Sequence, residues 1–246
     1  MYEMLGIVLL GLATGVLINY LSNVLPLRRR LARPICSACQ QEYSVRAFLL
    51  GKHCQSCGKS PSVRFWLVLI FYPLSFILFW TFPIERFDFW FGAPVLAFLG
   101  LIFIIDLEYR AILQSTMIFG ALLFFGLGTY LHGFISTVAG GLAGFLIMLL
   151  LYYFGSRFGR WLAKRRNLEL DEPTLGFGDV NLGGVIGLVL GWPGIIAGLF
   201  LSIFLGGITG ALYLLYAAIT RQYRPFFFLP YAPFMVLATV FFLFRP

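Results

Sequence analysis

The sequence predicts an all-α polytopic membrane protein of about eight transmembrane helices, with a small four-cysteine segment after the first. Three observations lead there. Of 246 residues, 60% are hydrophobic and only 11% charged, whereas a soluble domain is about 25% charged. The charge-free stretches are long: residues 4–27, 65–84, 89–105, 111–156, 180–220 and 225–244. Finally, the 18 Lys and Arg residues fall almost entirely between alternate stretches. Apolar runs of this length exclude a β-barrel, whose strands alternate in short segments.

A helix crosses a bilayer with about 20 residues, in a usual range of about 17–25. Stretches 4–27, 65–84, 89–105 and 225–244 each fit one span. Stretch 111–156 fits two, turning near Tyr130, His132 and Gly133. Stretch 180–220 also fits two, turning at Gly191-Trp192-Pro193-Gly194. The first arm of that pair, residues 180–190, is only 11 residues, about 16 Å at roughly 1.5 Å per residue. Either its helix starts before Asp179, or the Gly176-Phe177-Gly178-Asp179 loop dips into the membrane. Non-helical backbone at that depth must be buried in protein or face water.

Threading eight spans with the N-terminus outside puts 16 of the 18 basic residues inside and leaves Arg86 and Arg245 outside. That is a strong positive-inside signal. The net charge of +8 is thereby topology and calls for no nucleic acid. The opening "MYEMLG" has an acid and no base, the reverse of a signal peptide, so the first span is expected to stay. The predicted organisation is a first transmembrane helix at 1–27, a cytoplasmic cysteine segment at 28–64 and a seven-helix membrane core at 65–246. A second inside loop, 155–179, runs from basic to acidic residues (Glu169, Asp171, Glu172). The outside loops are very short, so chemistry is expected at the inside face, against membrane lipid.

All four cysteines lie in two C-x-x-C pairs, Cys36/Cys39 and Cys54/Cys57, 14 residues apart. A cytosolic face is reducing, which argues against disulfides. Two such knuckles supply four thiolates for tetrahedral Zn²⁺. With four protein ligands and no open position, the site reads as structural. His53, beside Cys54, reads as a surface residue. A segment this short has too little core to fold unaided, so ligation would supply its folding free energy. Unliganded thiol pairs or a redox switch are the plainer readings.

Three acids fall near the inside ends of spans: Asp106, Glu108 and Asp179. An ionisable group at a membrane edge is a functional candidate by default. Asp106 closes an inward span and Asp179 opens an outward one, so two distant carboxylates can meet at one depth. Carboxylates about 3 Å apart share one proton. The ionised member takes a proton from water while the protonated member polarises an amide carbonyl, and water attacks with no covalent intermediate. Gly176 and Gly178 permit positive φ and close approach of another segment. The structural alternatives are a helix cap at Asp179, neutralisation of Arg110 by Asp106, and a solvated Glu108. Gly183, Gly184 and Gly187 read as close helix packing. His132 sits at an outside turn, so no Ser-His-Asp arrangement is available.

On these residues the sequence resembles the type IV prepilin peptidases. Gly176-Phe177-Gly178-Asp179 followed by "VNLGGVIGLVLGW" is similar to their G-x-G-D motif, and "IIDLEYR" to their first catalytic segment, with Asp106 as its aspartate. "LPYAPFMVLA", residues 229–238, resembles their late Pro-[Phe/Tyr]-Gly-Pro-Phe segment; "GVLINYLSNVLP" and the cysteine pairs match their opening. The resemblance implies a membrane aspartic protease with catalytic Asp106 and Asp179. It implies removal of a short basic leader from a prepilin or pseudopilin with an N-terminal hydrophobic helix, at the cytoplasmic face of the bacterial inner membrane. In many relatives it also implies N-methylation of the new terminus with S-adenosylmethionine. Three places depart from the family pattern: Leu113-Gln114 replace Pro-Asp, Asn181 replaces a lysine, and no acid follows Arg64 closely. Competing classes are a transporter or channel carrying protons or ions on Asp106 and Asp179, and a non-catalytic assembly protein whose knuckle binds a partner.

Overall fold

The computed structural model describes residues 2–36, 38–42, 44–165, 176–220 and 230–245. Among them are α1 (Tyr2–Arg28), α2 (Val45–Leu49), α3 (Val63–Thr81), α4 (Phe89–Tyr109), α5 (Gln114–His132), α6 (Phe134–Arg165), α7 (Phe177–Leu190), α8 (Gly194–Thr220) and α9 (Ala232–Phe244). Each of the eight apolar segments carries a helix among its described residues, and both long stretches turn at glycines with positive φ, Gly133 (79°) and Gly191 (65°). Six helices, α1, α3, α4, α5, α6 and α8, are long and apolar enough to cross a bilayer, as befits a multi-pass membrane protein. The other two, α7 and α9, have 14 and 13 residues, about 21 and 20 Å of a hydrocarbon core about 30 Å thick. Eight full crossings are thus not what these lengths give. Much of the 155–179 loop, including Glu169, Asp171 and Glu172, lies outside the described residues. The short α2 has no counterpart in the hydropathy pattern.

The chain forms two compact units, residues 1–105 and 106–245. In the first, α1 packs on α3 through Gly11 and Gly15. A Cβ at Gly11 would come within 2.7 Å of the Pro73 nitrogen, and one at Gly15 within 3.1 Å of the Val68 carbonyl oxygen. This is the small-x-x-x-small contact that lets membrane helices approach backbone to backbone. Further along α1, Asn19 Nδ2 donates to the Phe65 carbonyl (3.1 Å), the Tyr20 hydroxyl to that of Ala32 (2.6 Å) and Asn23 Nδ2 to that of Ile35 (2.9 Å). The first ties α1 to α3, and the other two fasten the segment entering the first cysteine pair to α1.

In the second unit α7 packs against α5, α6, α8 and α9. Its buried residues run all round it, from Asp179 to Leu190, the pattern of an interior helix. Its seam with α6 is antiparallel. Gly183 faces the Gly144 carbonyl, and Gly187 that of Gly140. On α5, Gly128 lies against the Leu188 carbonyl. The expectation of close packing at Gly183, Gly184 and Gly187 is met by partners on α6 spaced four residues apart.

Gly187→Val should break this seam, because the added carbons meet backbone rather than a movable side chain. A loss of about 1–3 kcal/mol is expected for such overpacking, read as a lowered unfolding midpoint in detergent. Gly126→Ala, with nothing within 4 Å of its Cβ, should show no loss.

Candidate active site and metal centre

Asp106 lies in the last turn of α4. The Arg110 N–H bonds to the Asp106 carbonyl at 2.9 Å, and Arg110 takes a left-handed φ of 49°, which turns the chain toward α5. The link then sets Ile112 on α7: a Cβ at Gly178 would come within 2.7 Å of Ile112 Cβ. Gly178 is therefore what lets the end of α4 and the start of α7 share one place.

The helix α7 starts at Phe177, before Asp179, the first of the two arrangements left open by its length. Asp179 occupies the first turn, where its Oδ2 accepts the Gly176 N–H at 3.2 Å. This is half of a capping box, since Gly176 has no side chain to return the bond. The glycines do not supply positive φ here. Gly176 is extended at φ −74°, and Gly178 is absent from the positive-φ glycines. Their shared property is the missing Cβ, which leaves room for Ile112 and for the Asp179 carboxylate.

Asp106 (5% exposed) and Asp179 (9%) are the buried acids among the described residues. They are neighbours, near enough for the charge on Asp106 to act on Asp179. Oδ2 of Asp106 is buried with no hydrogen-bond partner among the described residues, a costly state for a carboxylate. The Ala232 backbone N–H, opening α9, faces the Asp106 carboxylate. Glu108 is exposed. His132 is at the far end of α7, with Nε2 3.2 Å from the Val189 carbonyl; ten residues of helix, about 15 Å, separate that end from Asp179.

Tyr231 lies near Asp179, and Ser202 holds Tyr231. Ser202 on α8 is fully buried, and its hydroxyl donates to the Leu199 carbonyl at 2.8 Å. The Tyr231 hydroxyl lies 2.8 Å from Ser202 Oγ. With the Ser202 proton so committed, Tyr231 is the donor to Ser202. Tyr231 also lies within range of the Asp179 charge. Only the resemblance of residues 229–238 pointed toward Tyr231, and Leu229 lies outside the described residues. Nothing in the uncharged run around Ser202 marks it.

The four cysteines of the first unit converge, all four Sγ atoms lying within 4.8 Å of one another. Cys36 and Cys57 are 3.6 Å apart, Cys39 and Cys54 3.7 Å. Tetrahedral zinc with Zn–S bonds of about 2.3 Å requires sulfurs about 3.8 Å apart. Each pair is shaped by the same turn. The Gln40 N–H bonds to the Cys36 carbonyl and the Gly58 N–H to that of Cys54, both at 2.8 Å. Gln40 (φ 57°) and Gly58 (φ 70°) are both left-handed. The Cys57 and Ser56 amides hold the Cys54 thiol down at about 6. Although the Lys59 amide lowers it, Cys57 is pushed up to about 12 by desolvation and the other three thiols. Four thiols gathered at this spacing are a ligand set that a dication completes. His53 is exposed and takes no part.

Residues 93–211 match the family model described as the type IV leader peptidase family. The match covers just under half of the chain. The matched segment contains Asp106, Gly176, Gly178, Asp179 and Ser202, and excludes the cysteine cluster and Tyr231. No curated protein and no solved structure matches the chain.

Gly178→Ala should press on Ile112 and lower the unfolding midpoint in detergent, and Ile112→Ala in the same chain should restore part of it. Metal analysis of the purified protein should find about one zinc per chain, as a four-thiolate site holds one ion. Cys36→Ser or Cys54→Ser should each lose it.

Proposed function

We propose that the chain is an aspartic endopeptidase that removes the short basic leader of prepilin-like or pseudopilin substrates, with Asp106 and Asp179 as the catalytic pair. The observation that carries this reading is the meeting of two buried acids from separate helices inside the matched segment. The positive-inside pattern puts the pair at the cytoplasmic face of the inner membrane, with the N-terminus outside. There a substrate's hydrophobic helix can lodge in the bilayer and present its leader junction to the acids.

Two neighbouring carboxylates hold one proton between them, and the pair titrates as a unit. The ionised member draws a proton from water as that water attacks the scissile carbonyl. The protonated member donates its proton to the developing oxyanion. The other, now carrying the proton from water, passes it to the leaving amine, and the first recovers a proton from the gem-diol as the C–N bond breaks. Asp179 spends Oδ2 on the Gly176 N–H, which fixes its rotamer and leaves Oδ1 for chemistry. The unpartnered Oδ2 of Asp106 is the natural contact for water or substrate. In the first unit, Cys36, Cys39, Cys54 and Cys57 would hold a structural zinc, whose part is to fold residues 28–64 rather than to react. The transporter alternative gains nothing here, since both buried acids flank one site and no other described acid is buried.

Incubation of the purified protein with a prepilin, followed by mass measurement of the N-terminus, tests this. The same spectrum reports whether S-adenosylmethionine adds a methyl group. Asp106→Asn and Asp179→Asn should each reduce cleavage by roughly 10²–10⁴-fold, the usual worth of a general acid or base, with insertion unchanged. In Asp179→Asn the side-chain amide oxygen still accepts the Gly176 N–H, so the start of α7 survives. Cleavage at the wild-type rate in either variant would remove the aspartic mechanism.

A further inference from the structure

The first unit carries an apolar groove of about 790 Å³ between α1 (Leu12, Val16, Tyr20), the segment at 31–34 and α2 (Phe48, Leu49). Beside it is a polar cleft of about 420 Å³ lined by Arg33, Glu42, Ser44 and Val45. Arg33 and Val45 line both, so the two form one amphiphilic site. From Leu12 to Tyr20 the groove follows α1 for eight residues, about 12 Å. That is close to one leaflet of hydrocarbon, half of about 30 Å. A membrane-spanning peptide helix would need about twice this length.

Charge selects the occupant's headgroup. Arg28, Arg29 and Arg30 are exposed where α1 ends, and Arg33 is exposed at the lip. Glu42 is the one acid lining either cavity, 3.7 Å from Arg33. Four arginines just beyond a transmembrane helix form the kind of cluster that binds anionic lipid. Leu31, Val45, Leu49 and Leu50 are also exposed, which suits α2 to lying in the headgroup region with its apolar side chains in lipid.

We propose that this site holds one anionic phospholipid, with an acyl chain along α1 from Tyr20 toward Leu12 and its phosphate on Arg33 at the mouth of the polar cleft. The lipid bridges the membrane helix and α2, so it helps seat the cysteine segment on the bilayer. Glu42 competes with the phosphate for Arg33. The site stands apart from the peptidase reading, since none of its residues belongs to the acid pair or to the segment that matches the family.

Native mass spectrometry of the full chain, titrated with phosphatidylglycerol or phosphatidylcholine of identical acyl chains, tests the proposal. Phosphatidylglycerol should bind more tightly and lose affinity with added salt. Arg33→Gln and Arg30→Gln should each weaken it about fivefold, whereas Glu42→Gln should strengthen it. Ala13→Trp, at an exposed groove position, should block binding with no change of charge. Equal binding of the two lipids, or indifference to Arg33→Gln and Ala13→Trp, would overturn the site. Weakened binding in Glu42→Gln with a preference for phosphatidylethanolamine would overturn it in favour of a zwitterionic ligand. Displacement of the lipid by millimolar inorganic phosphate alone would reduce it to a phosphate site, and displacement by a prepilin helix peptide would make it a substrate groove.

Discussion

The second unit depends on backbone-to-backbone contact between α6 and α7. Lipid tails are as apolar as leucine side chains, so no hydrophobic force presses helices together inside a bilayer. Close approach must supply the attraction, and glycine permits the closest approach. Gly140 and Gly144 on α6 meet Gly187 and Gly183 on α7. This seam, with α5, α8 and α9 on the remaining sides, encloses a helix of only 14 residues. Because α7 is enclosed along its length, an acid in its first turn is already out of solvent. Burial of Asp179 is thus a property of the packing of α7 rather than of a cleft cut around it.

The cysteine segment obeys a different constraint. It has few core residues, among them Ile35, Ala47 and Phe48, and it repeats one turn, at Cys36–Gln40 and at Cys54–Gly58. Those copies differ at the left-handed residue, which is Gly58 in the second and Gln40 in the first. A left-handed backbone costs a non-glycine residue roughly 1–2 kcal/mol. The first copy is held by more than its turn: the Asn23 bond to Ile35, the Tyr20 bond to Ala32 and the Ile35–Glu42 bridge all surround it.

Much of this was legible in the sequence where one physical rule dominates. Solvation sets the eight apolar segments, glycine sets the turns at Gly133 and Gly191, and thiol spacing sets the cysteine cluster. Asp106 and Asp179 are neighbours, as the eight-span threading expects, although α7 and α9 are too short to be full crossings. Contacts that depend on rotation about a helix axis were not legible. Gly178 promised a close approach, but the identity of its neighbour, Ile112, is set three-dimensionally. Asn19, Asn23 and Ser202 sit within apolar runs where hydropathy averages them away, and their meaning lies in which carbonyl or hydroxyl each one reaches. The positive φ allowed at Gly176 and Gly178 was the wrong property of glycine to weigh, because room, not dihedral freedom, is what these two positions provide.

The hydrogen bond from the Gly176 N–H to Asp179 Oδ2 ties the backbone entering α7 to the rotamer of an acid three residues on. The two cannot move independently: unwinding the first turn swings the carboxylate, and swinging the carboxylate loosens the first turn. Tension on the chain ahead of α7 is thereby converted into torque on a single side chain.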